Sequence, residues 1–179
     1  MYGNKGRGWI YQRKNRTEGN FPIYVIQSPL ICDNNVKISF SVLDEEAKCP
    51  FSDVETGAWY EAHVATAKKL GIALGKTNIT FEPFSKLTRQ EMMTFTARAL
   101  VKIGRYYYPN AEEIHNLLRN YSDENEISDY DFIKSIALNV QLGIVGGSKQ
   151  DDVRWMLFPK AEIKRGEVAK ILAIAMEKR

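Results

Sequence analysis

The sequence predicts a mainly α-helical protein with two helix–loop–helix repeats in a pseudo-symmetric bundle and a small β segment at its N-terminus. Three observations support this fold class. Apolar residues recur at helical spacing from residue 51 onward. Short landmarks in the first part of that region return in the same order about 70 residues later. Residues 36–42, in contrast, alternate apolar and polar side chains, as a half-buried strand does.

The first 50 residues have the pattern of β structure. Besides residues 36–42, residues 21–26 and 9–11 have strand-like composition, and turn-forming residues bound the longer of these runs. So few short strands are marginal as an independent sheet domain. We therefore expect residues 1–50 to be the end of a preceding β domain or a β arm that packs on the rest.

The composition limits the function classes. The 179 residues include 25 basic and 22 acidic side chains, and the net charge of +3 is too small and too evenly spread to indicate a nucleic-acid partner. No run approaches the roughly 20 apolar residues of a membrane span. The first residues also lack the basic-then-apolar profile of a signal peptide. We expect an ordinary globular chain without a membrane span.

Helical patterns fill residues 51–120. One helix face consists of apolar residues at i, i+4, i+7 and i+10, namely Tyr60, Val64, Ala67 and Leu70. Gly71 predicts the end of this helix. Thr88 and Glu91 have the spacing of a capping box, in which each side chain accepts the backbone N–H of the other residue, so a second helix starts there. Asn110 and Glu113 predict the start of a third helix in the same way.

Residues 121–179 repeat this organisation. Segment 51–55 recurs at 121–125, 70–75 at 142–147, 81–83 loosely at 158–159, and 87–91 at 163–167. The offsets of 70, 72 and 76 residues drift only through small loop insertions. Two further helices have apolar stripes, which are Ile133, Ile136 and Val140 on one and Val168, Ile171, Leu172 and Ala175 on the other. The predicted divisions are a β-rich segment at 1–50 and two repeats at 51–120 and 121–179.

Five short motifs follow one another in the first repeat. They are Phe-Ser-Asp-Val at 51–54, Ala-Trp-Tyr at 58–60, Gly-Ile-x-x-Gly at 71–75, Phe-x-Pro at 81–83 and Leu-Thr-Arg-x-Glu at 87–91. This series resembles the S-layer homology (SLH) repeat, closely over residues 51–100 and less closely over residues 121–176. The order of five motifs is specific, whereas the last motif alone is not. The first repeat resembles a middle repeat and the second resembles a last repeat.

The resemblance implies a function and a location. Proteins of this family are exported and attach to the bacterial surface by binding secondary cell-wall polysaccharide, which often carries pyruvate ketals. Complete modules usually have three repeats around a pseudo-threefold axis. The resemblance thus implies a non-catalytic anchor in the extracellular wall or S-layer, with a third repeat or a second copy as a further partner. The lack of a signal-peptide profile then fits a fragment better than a whole exported protein.

Arg89 and Arg165 are the central candidates for binding the polysaccharide. Each falls in the first turn of its predicted helix, where the helix dipole already places positive charge, so something anionic must compensate. A guanidinium beside free N–H groups suits a carboxylate or phosphate, and a pyruvate ketal would agree with the resemblance. The alternative is structural pairing, of Arg89 with Asp53 or Glu91 and of Arg165 with Asp123 or Glu167.

Trp59, Asp53 and Asp123 are further candidates for polysaccharide binding. Trp59 offers a face on which a sugar ring can stack, although an aromatic residue at a helix start is more often part of the core. Asp53 and Asp123 would accept hydrogen bonds from sugar hydroxyls. The alternative for both aspartates is an Asx turn or an N-cap, which we favour.

The remaining candidates lie at helix starts and in loops. Thr88, Glu91 and Glu167 are chiefly capping residues, while Lys164 replaces the capping threonine in the second repeat and adds a positive charge. Glycines that let a sugar approach the backbone, or that simply end helices, are Gly71, Gly75, Gly143 and Gly146.

Catalysis and metal binding are not indicated by the sequence. His63 and His115 have no Cys or second His at ligand spacing, and the repeated carboxylates resemble caps more than a glycosidase pair. We expect no catalytic residue, no metal and no cofactor. Cys32 and Cys49 either form a disulfide, which an exported protein permits, or remain two free thiols. The alternative function is a protein–protein or self-association module of a surface-layer protein.

Overall fold

A computed structural model describes residues 43–44, 47–149 and 154–178 of the chain. The strands predicted at 9–11, 21–26 and 36–42 lie outside these residues, as does Cys32. Cys49 has a free thiol and packs beside the cluster formed by Phe51, Val54 and Val64.

Within the described residues, the chain forms five α-helices and one small sheet. The helices are α1 (Glu61–Lys69), α2 (Arg89–Lys102), α3 (Ala111–Leu118), α4 (Tyr130–Gln141) and α5 (Arg165–Glu177). Strands β1 (Ser148–Lys149) and β2 (Trp155–Met156) pair antiparallel, with Ser148 opposite Met156. The prediction of a mainly α fold is confirmed. The β1–β2 pair was not predicted, because two residues are too few for an alternating pattern to show.

The helix starts follow the capping residues in the sequence. The Thr88 and Asn110 side chains accept the backbone N–H of Glu91 and Glu113, and both glutamates accept the N–H of the capping residue in return. These two capping boxes are the predicted ones. At α4 the Asp129 carboxylate accepts from two backbone N–H groups of the first turn, which the sequence analysis did not predict.

One core joins α2 and α3 of the first repeat to α4 and α5 of the second repeat. The buried residues of this core include Met93 of α2, Leu118 of α3, Ile136 of α4 and Ile171 of α5. A smaller cluster, formed by Phe51, Val54 and Val64, lies beneath α1. Leu172, which the sequence placed on the apolar stripe of α5, is instead exposed. The main core therefore belongs to both repeats together.

The loops of the two repeats have the same hydrogen bonds. The Ser52 N–H donates to the Ile79 carbonyl at 2.9 Å, and the Ser122 N–H donates to the Trp155 carbonyl at 3.0 Å. Glu82 and Phe158, each just before a proline, both have a positive φ, of 59° and 53°. The equivalent of segment 81–83 is therefore 157–159, so Leu157 takes the place of Phe81. The looser alignment of Phe81 with Phe158 was wrong by one residue.

Candidate functional site

Arg89 joins the two repeats. Its Nε donates to the Leu157 carbonyl at 2.8 Å, and its Nη1 donates to Glu167 Oε1 at 2.5 Å. Only 12% of the Arg89 side chain is exposed. Structural pairing of Arg89 was the alternative weighed from the sequence, but the partner is Glu167 of the second repeat and neither Asp53 nor Glu91.

The first turn of α2 is covered by the second repeat. The Arg89 N–H donates to the Ala161 carbonyl at 2.9 Å, and the Gln90 N–H donates to the Pro159 carbonyl at 2.9 Å. Thr88 also forms an antiparallel bridge with Glu162. Carbonyl oxygens and Glu167 thus compensate the positive charge that the sequence analysis assigned to an external anion.

The first turn of α5 differs from that of α2. Arg165 and Lys164 are both exposed, and within the described residues neither forms an ion pair. The N–H groups of Arg165 and Gly166 donate to no backbone carbonyl in the described part of the chain. The alternative considered from the sequence, structural pairing of Arg165 with Asp123 or Glu167, does not occur among the described residues. Of the two predicted arginines, Arg165 is therefore exposed and unpaired in the described part of the chain, whereas Arg89 is largely buried.

Glu91 and Glu167 occupy equivalent positions, and each uses its two oxygens differently. One oxygen of Glu91 caps Thr88, and the other accepts from Lys76 Nζ at 2.5 Å. One oxygen of Glu167 accepts the Lys164 N–H at 2.8 Å, and the other pairs with Arg89. Burial raises the pKa of Glu91, but hydrogen bonds from Lys76 and Thr88 outweigh burial, so this pKa lies below its usual value.

Asp53 and Asp123 hold the proline loops of their repeats. Asp53 accepts the N–H groups of Phe81 and Glu82 at 2.8 and 2.7 Å. The Phe81 N–H, aided by that of Glu82, outweighs desolvation and lowers the pKa of the Asp53 carboxyl. The proposed Asx turn or N-cap is therefore wrong for Asp53, since its carboxylate reaches backbone 28 residues further on.

Asp123 makes the equivalent contacts from a buried position. It accepts the N–H of Leu157 at 3.0 Å and that of Phe158 at 2.7 Å, and only 1% of the residue is exposed. No side-chain cap bond is formed by Asp123 at the following 3-10 turn, Glu124–Glu126. A buried carboxylate does not reach a polymer at the surface, so we assign Asp123 to the loop rather than to the ligand.

Trp59 lies on the surface beside two other aromatic rings. It is 84% exposed, and its ring meets that of Tyr60 edge-on with centroids 5.4 Å apart. Tyr60 meets Phe84 edge-on at 5.7 Å, and Phe84 is 85% exposed. We call these three residues the aromatic platform. The core alternative for Trp59 is wrong. Phe84 could not be predicted as part of this cluster, because no periodic pattern marks a lone aromatic residue in a loop.

The loop glycines fall into two groups. Gly71 and Gly143 have positive φ values of 74° and 69°, and a Cβ atom would meet nothing within 4 Å at either position. Gly146 is exposed, and its carbonyl accepts from the Tyr121 hydroxyl at 3.2 Å. Gly75 is different, because a Cβ there would clash with the ring of Phe51 and the Thr80 carbonyl oxygen. Gly75 therefore packs inside the repeat, and the other three leave backbone near the surface.

In the residues that the structure describes, no group of three or more His, Cys, Asp and Glu side chains is placed to hold a metal ion. None of the helices in the described part of the chain combines the length and the apolar character that crossing a bilayer requires.

Part of the chain matches a known family. Residues 50–93 match the family model of the S-layer homology domain. The chain is also similar to an amylopullulanase of Thermoanaerobacterium thermosulfurigenes, with 30% identity over 139 residues. That alignment covers 77% of this chain and 7% of the amylopullulanase, so the chain spans only a small part of that relative.

A solved structure is similar to a smaller extent. The undecaheme cytochrome from the S-layer of Carboxydothermus ferrireducens aligns with 64% of this chain and 17% of its own, at 21% identity and a TM-score of 0.41. A likeness at that score supports no conclusion. The family match is what identifies the region: residues 50–93 of this chain form an S-layer homology domain.

Proposed function

We propose that this chain anchors its protein outside the cell by binding an anionic, pyruvylated secondary cell-wall polysaccharide. The observation that favours this function is the aromatic platform of Trp59, Tyr60 and Phe84. Two large aromatic side chains are more than four-fifths exposed within one cluster of contacting rings. A patch of this kind on a soluble surface marks an interaction site.

The chemistry of the platform suits a sugar. The apolar C–H face of a pyranose ring stacks on an aromatic face, and indole presents the largest such area. Trp59 is held at the N-terminal side of α1 by its contact with Tyr60, the N-cap residue of that helix. The platform is therefore positioned before the polymer arrives, which lowers the entropic cost of binding.

Charge supplies the preference for an anionic polymer. Arg165 and Lys164 lie exposed at the first turn of α5, which the described residues leave uncovered. A carboxylate bound there would be stabilised by the two positive charges and would accept hydrogen bonds from the backbone N–H groups. Arg89 has an indirect role in this proposal, because it fixes the second repeat against the first. Thr88, Glu91 and Glu167 likewise support the site by capping the helices that present it.

The units 51–120 and 121–179 are proposed as the two repeats, and 1–50 as a separate segment.

Co-sedimentation with Gram-positive wall sacculi tests the proposal. Binding is expected to sacculi that retain their secondary polymer and to be lost after chemical stripping of that polymer. Trp59→Ala should weaken binding about tenfold, which corresponds to roughly 1.4 kcal/mol. Tyr107→Ala is the matched control, because Tyr107 is also an exposed aromatic residue, 82% exposed, but lies outside the platform. Equal loss in both variants, or binding that survives stripping, would contradict the proposal.

A second candidate function is association with a third repeat or with another copy of the chain. The first turn of α2 is covered by residues 159–162, whereas the equivalent turn of α5 is left uncovered by the described residues. The corresponding loop of a third repeat, or of a second copy of the chain, would cover the first turn of α5. Sedimentation equilibrium tests this candidate: Arg165→Glu should reduce a concentration-dependent mass, and a monomer at all concentrations would exclude self-association.

A further inference from the structure

One side of α5 is both apolar and exposed. The four exposed apolar residues of this side, spaced at i, i+3, i+4 and i+7, are Ala169, Leu172, Ala173 and Met176. We call these four residues the outer face of α5. Leu172 is 47% exposed and Met176 is 54% exposed. The other side of the helix, with Ile171 and Ala175, is buried in the main core. A helix that is apolar on both sides is normally buried on both.

The equivalent side of α2 is covered. Under the offset of 76 residues that relates Arg89 to Arg165, the outer face of α5 corresponds to Met93, Thr96, Ala97 and Leu100. All four of these residues are buried. The helix that covers them is α4, and its Asn139 Nδ2 donates to the Met93 carbonyl at 2.8 Å. Because α4 is the first α-helix of the second repeat, a later repeat covers an earlier one at this junction.

The helix of the first repeat that is equivalent to α4 is α1, and its corresponding side is open within the described residues. The offset of 72 residues between the glycines that end these helices relates Ala67 to Asn139 and His63 to Ser135. Asn139 and Ser135 are completely buried. Ala67 is only half-buried, and His63 is exposed. In the described part of the chain, the junction between repeats is therefore formed once, and one half of it is left over on α5 and the other half on α1.

Backbone hydrogen-bonding groups are left over at the same two places. In the formed junction, carbonyls of the loop 159–161 accept the first two N–H groups of α2. The equivalent carbonyls of the first repeat are those of Pro83 and Ser85, and no backbone N–H of the described residues donates to either. The N–H groups of Arg165 and Gly166 have no backbone acceptor in that part of the chain. Two donors and two acceptors therefore remain with the spacing that the formed junction uses.

The side-chain charges at the two surfaces are complementary as well. In the formed junction, Lys86 Nζ of the first repeat pairs with Glu162 of the second repeat at 2.9 Å. Positions 86 and 162 are themselves equivalent under the offset of 76 residues. A junction between two copies would therefore place Glu162 of one copy opposite Lys86 of the other, again with opposite charges. Both side chains are largely exposed, so each can reach a second partner.

We propose that a second copy of this chain covers the outer face of α5 with its α1 helix and its loop 81–86. The contact is head-to-tail, because the surface on α5 differs from the surface on α1. Such a contact gives a closed ring if its rotation closes and a filament if it does not. The inference rests on the second candidate function and deepens it, since it names the two surfaces through which copies meet. At the first turn of α5, loop carbonyls of the second copy take the place that the anchoring proposal gives to a carboxylate.

Sedimentation equilibrium of the full chain over a range of concentrations tests the surface on α5. The mass is expected to rise with concentration, and Leu172→Lys should weaken association on the order of a hundredfold, because it places an unpaired charge in the contact. Ile79→Lys is the matched control. Ile79 is 66% exposed, and its equivalent, Trp155, stays 41% exposed although its repeat takes part in the formed junction. The proposal is overturned if the two variants associate equally well.

A mixture of two blocked variants tests the head-to-tail geometry. Leu172→Lys keeps the α1 surface intact and Ala67→Lys keeps the α5 surface intact, so each variant alone should be a monomer. Their equimolar mixture should form a dimer and nothing larger, because only one junction can form between them. Helical circular dichroism checks that both variants fold, and His63→Lys, at an exposed position of the same side of α1, replaces Ala67→Lys if that variant does not. A mixture that stays monomeric contradicts the head-to-tail contact.

Other occupants of the outer face of α5 give different results. A chain that is monomeric at all concentrations overturns the proposal. In that case Leu172→Lys lowers the free energy of unfolding if residues 1–41 pack on this face, and leaves it unchanged if another protein covers it.

The proposals fail separately in these experiments. Sedimentation equilibrium contains no wall polymer, and the sacculi assay is run at a concentration at which the chain is monomeric. If association depends on Leu172 but sacculi are not bound, the anchoring function fails and the contact stands. If sacculi are bound but the chain never associates, the contact fails and the anchoring function stands. Association that Leu172→Lys does not weaken keeps self-association and overturns this surface.

Discussion

Lys86 and Arg89 both link residues 86–89 to residues 157–167, but the two side chains differ in burial. Lys86 Nζ pairs with Glu162 at 2.9 Å through side chains that are 76% and 62% exposed, whereas the Arg89 side chain is 12% exposed. Arg89 also satisfies the Leu157 carbonyl. An exposed pair in water gains little, while removing a largely buried donor leaves its partners without hydrogen bonds.

We therefore expect Arg89→Ala to lower the free energy of unfolding by about 2 kcal/mol. Lys86→Ala should change it by less than about 0.5 kcal/mol. Urea denaturation followed by helical circular dichroism measures both. Similar effects of the two substitutions would mean that Arg89 does not hold the repeats together.

The sequence revealed local interactions and missed the distant ones. The capping boxes at Thr88 and Asn110 were predictable because their partners lie three residues away. The partner of Arg89 lies 78 residues away, and no spacing rule selects Glu167 over nearer carboxylates. Asp123 was mistaken for a local cap for the same reason, since its acceptor role depends on how the 157–158 loop returns.

One glycine packs tightly inside each of two loops, Gly75 in the loop between α1 and α2 and Gly147 in the loop between α4 and α5. Gly75 packs on Phe51, and Gly147 packs on Tyr121, which occupies the equivalent position. A Cβ at Gly147 would lie 2.7 Å from the Met156 carbonyl oxygen and 2.8 Å from a ring carbon of Tyr121. The motif spacing predicted where the glycines recur, but only the packing shows which of them the fold requires.

Alanine substitutions should separate the two kinds of glycine. Gly143→Ala is expected to cost about 1 kcal/mol of unfolding free energy, because only the positive φ of 69° opposes it. Gly147→Ala should cost more than about 2 kcal/mol, since it adds a clash with backbone to a φ of 72°. Thermal and urea denaturation of both variants give the comparison. Equal costs would show that strand β2, which contains Met156, can shift to accommodate the methyl group without a further loss of stability.

The distribution of the core determines how the described part of the chain unfolds. α2 belongs to the first repeat by sequence, yet its buried residues Met93 and Leu100 pack in one cluster with Leu118, Ile136 and Ile171 of the helices that follow. The main core therefore crosses the boundary between the two repeats, and we expect the repeats not to unfold separately. α1 instead packs on the smaller cluster of Phe51, Val54 and Val64, and its N-cap residue Tyr60 makes no side-chain cap bond.

Native-state hydrogen exchange should follow this division. We expect the amides of α2 and α4 to exchange only through global unfolding, because opening either helix exposes the shared core. The amides of α1 should exchange through a local opening at a lower free energy, since fewer buried apolar contacts are lost. Mass-spectrometric exchange in increasing urea distinguishes the two: the α2 and α4 rates should rise with denaturant, and the α1 rates should stay nearly constant. If α1 exchanges with the same urea dependence as α2, the small cluster is coupled to the main core and the aromatic platform at Trp59 is as rigid as the helices behind it.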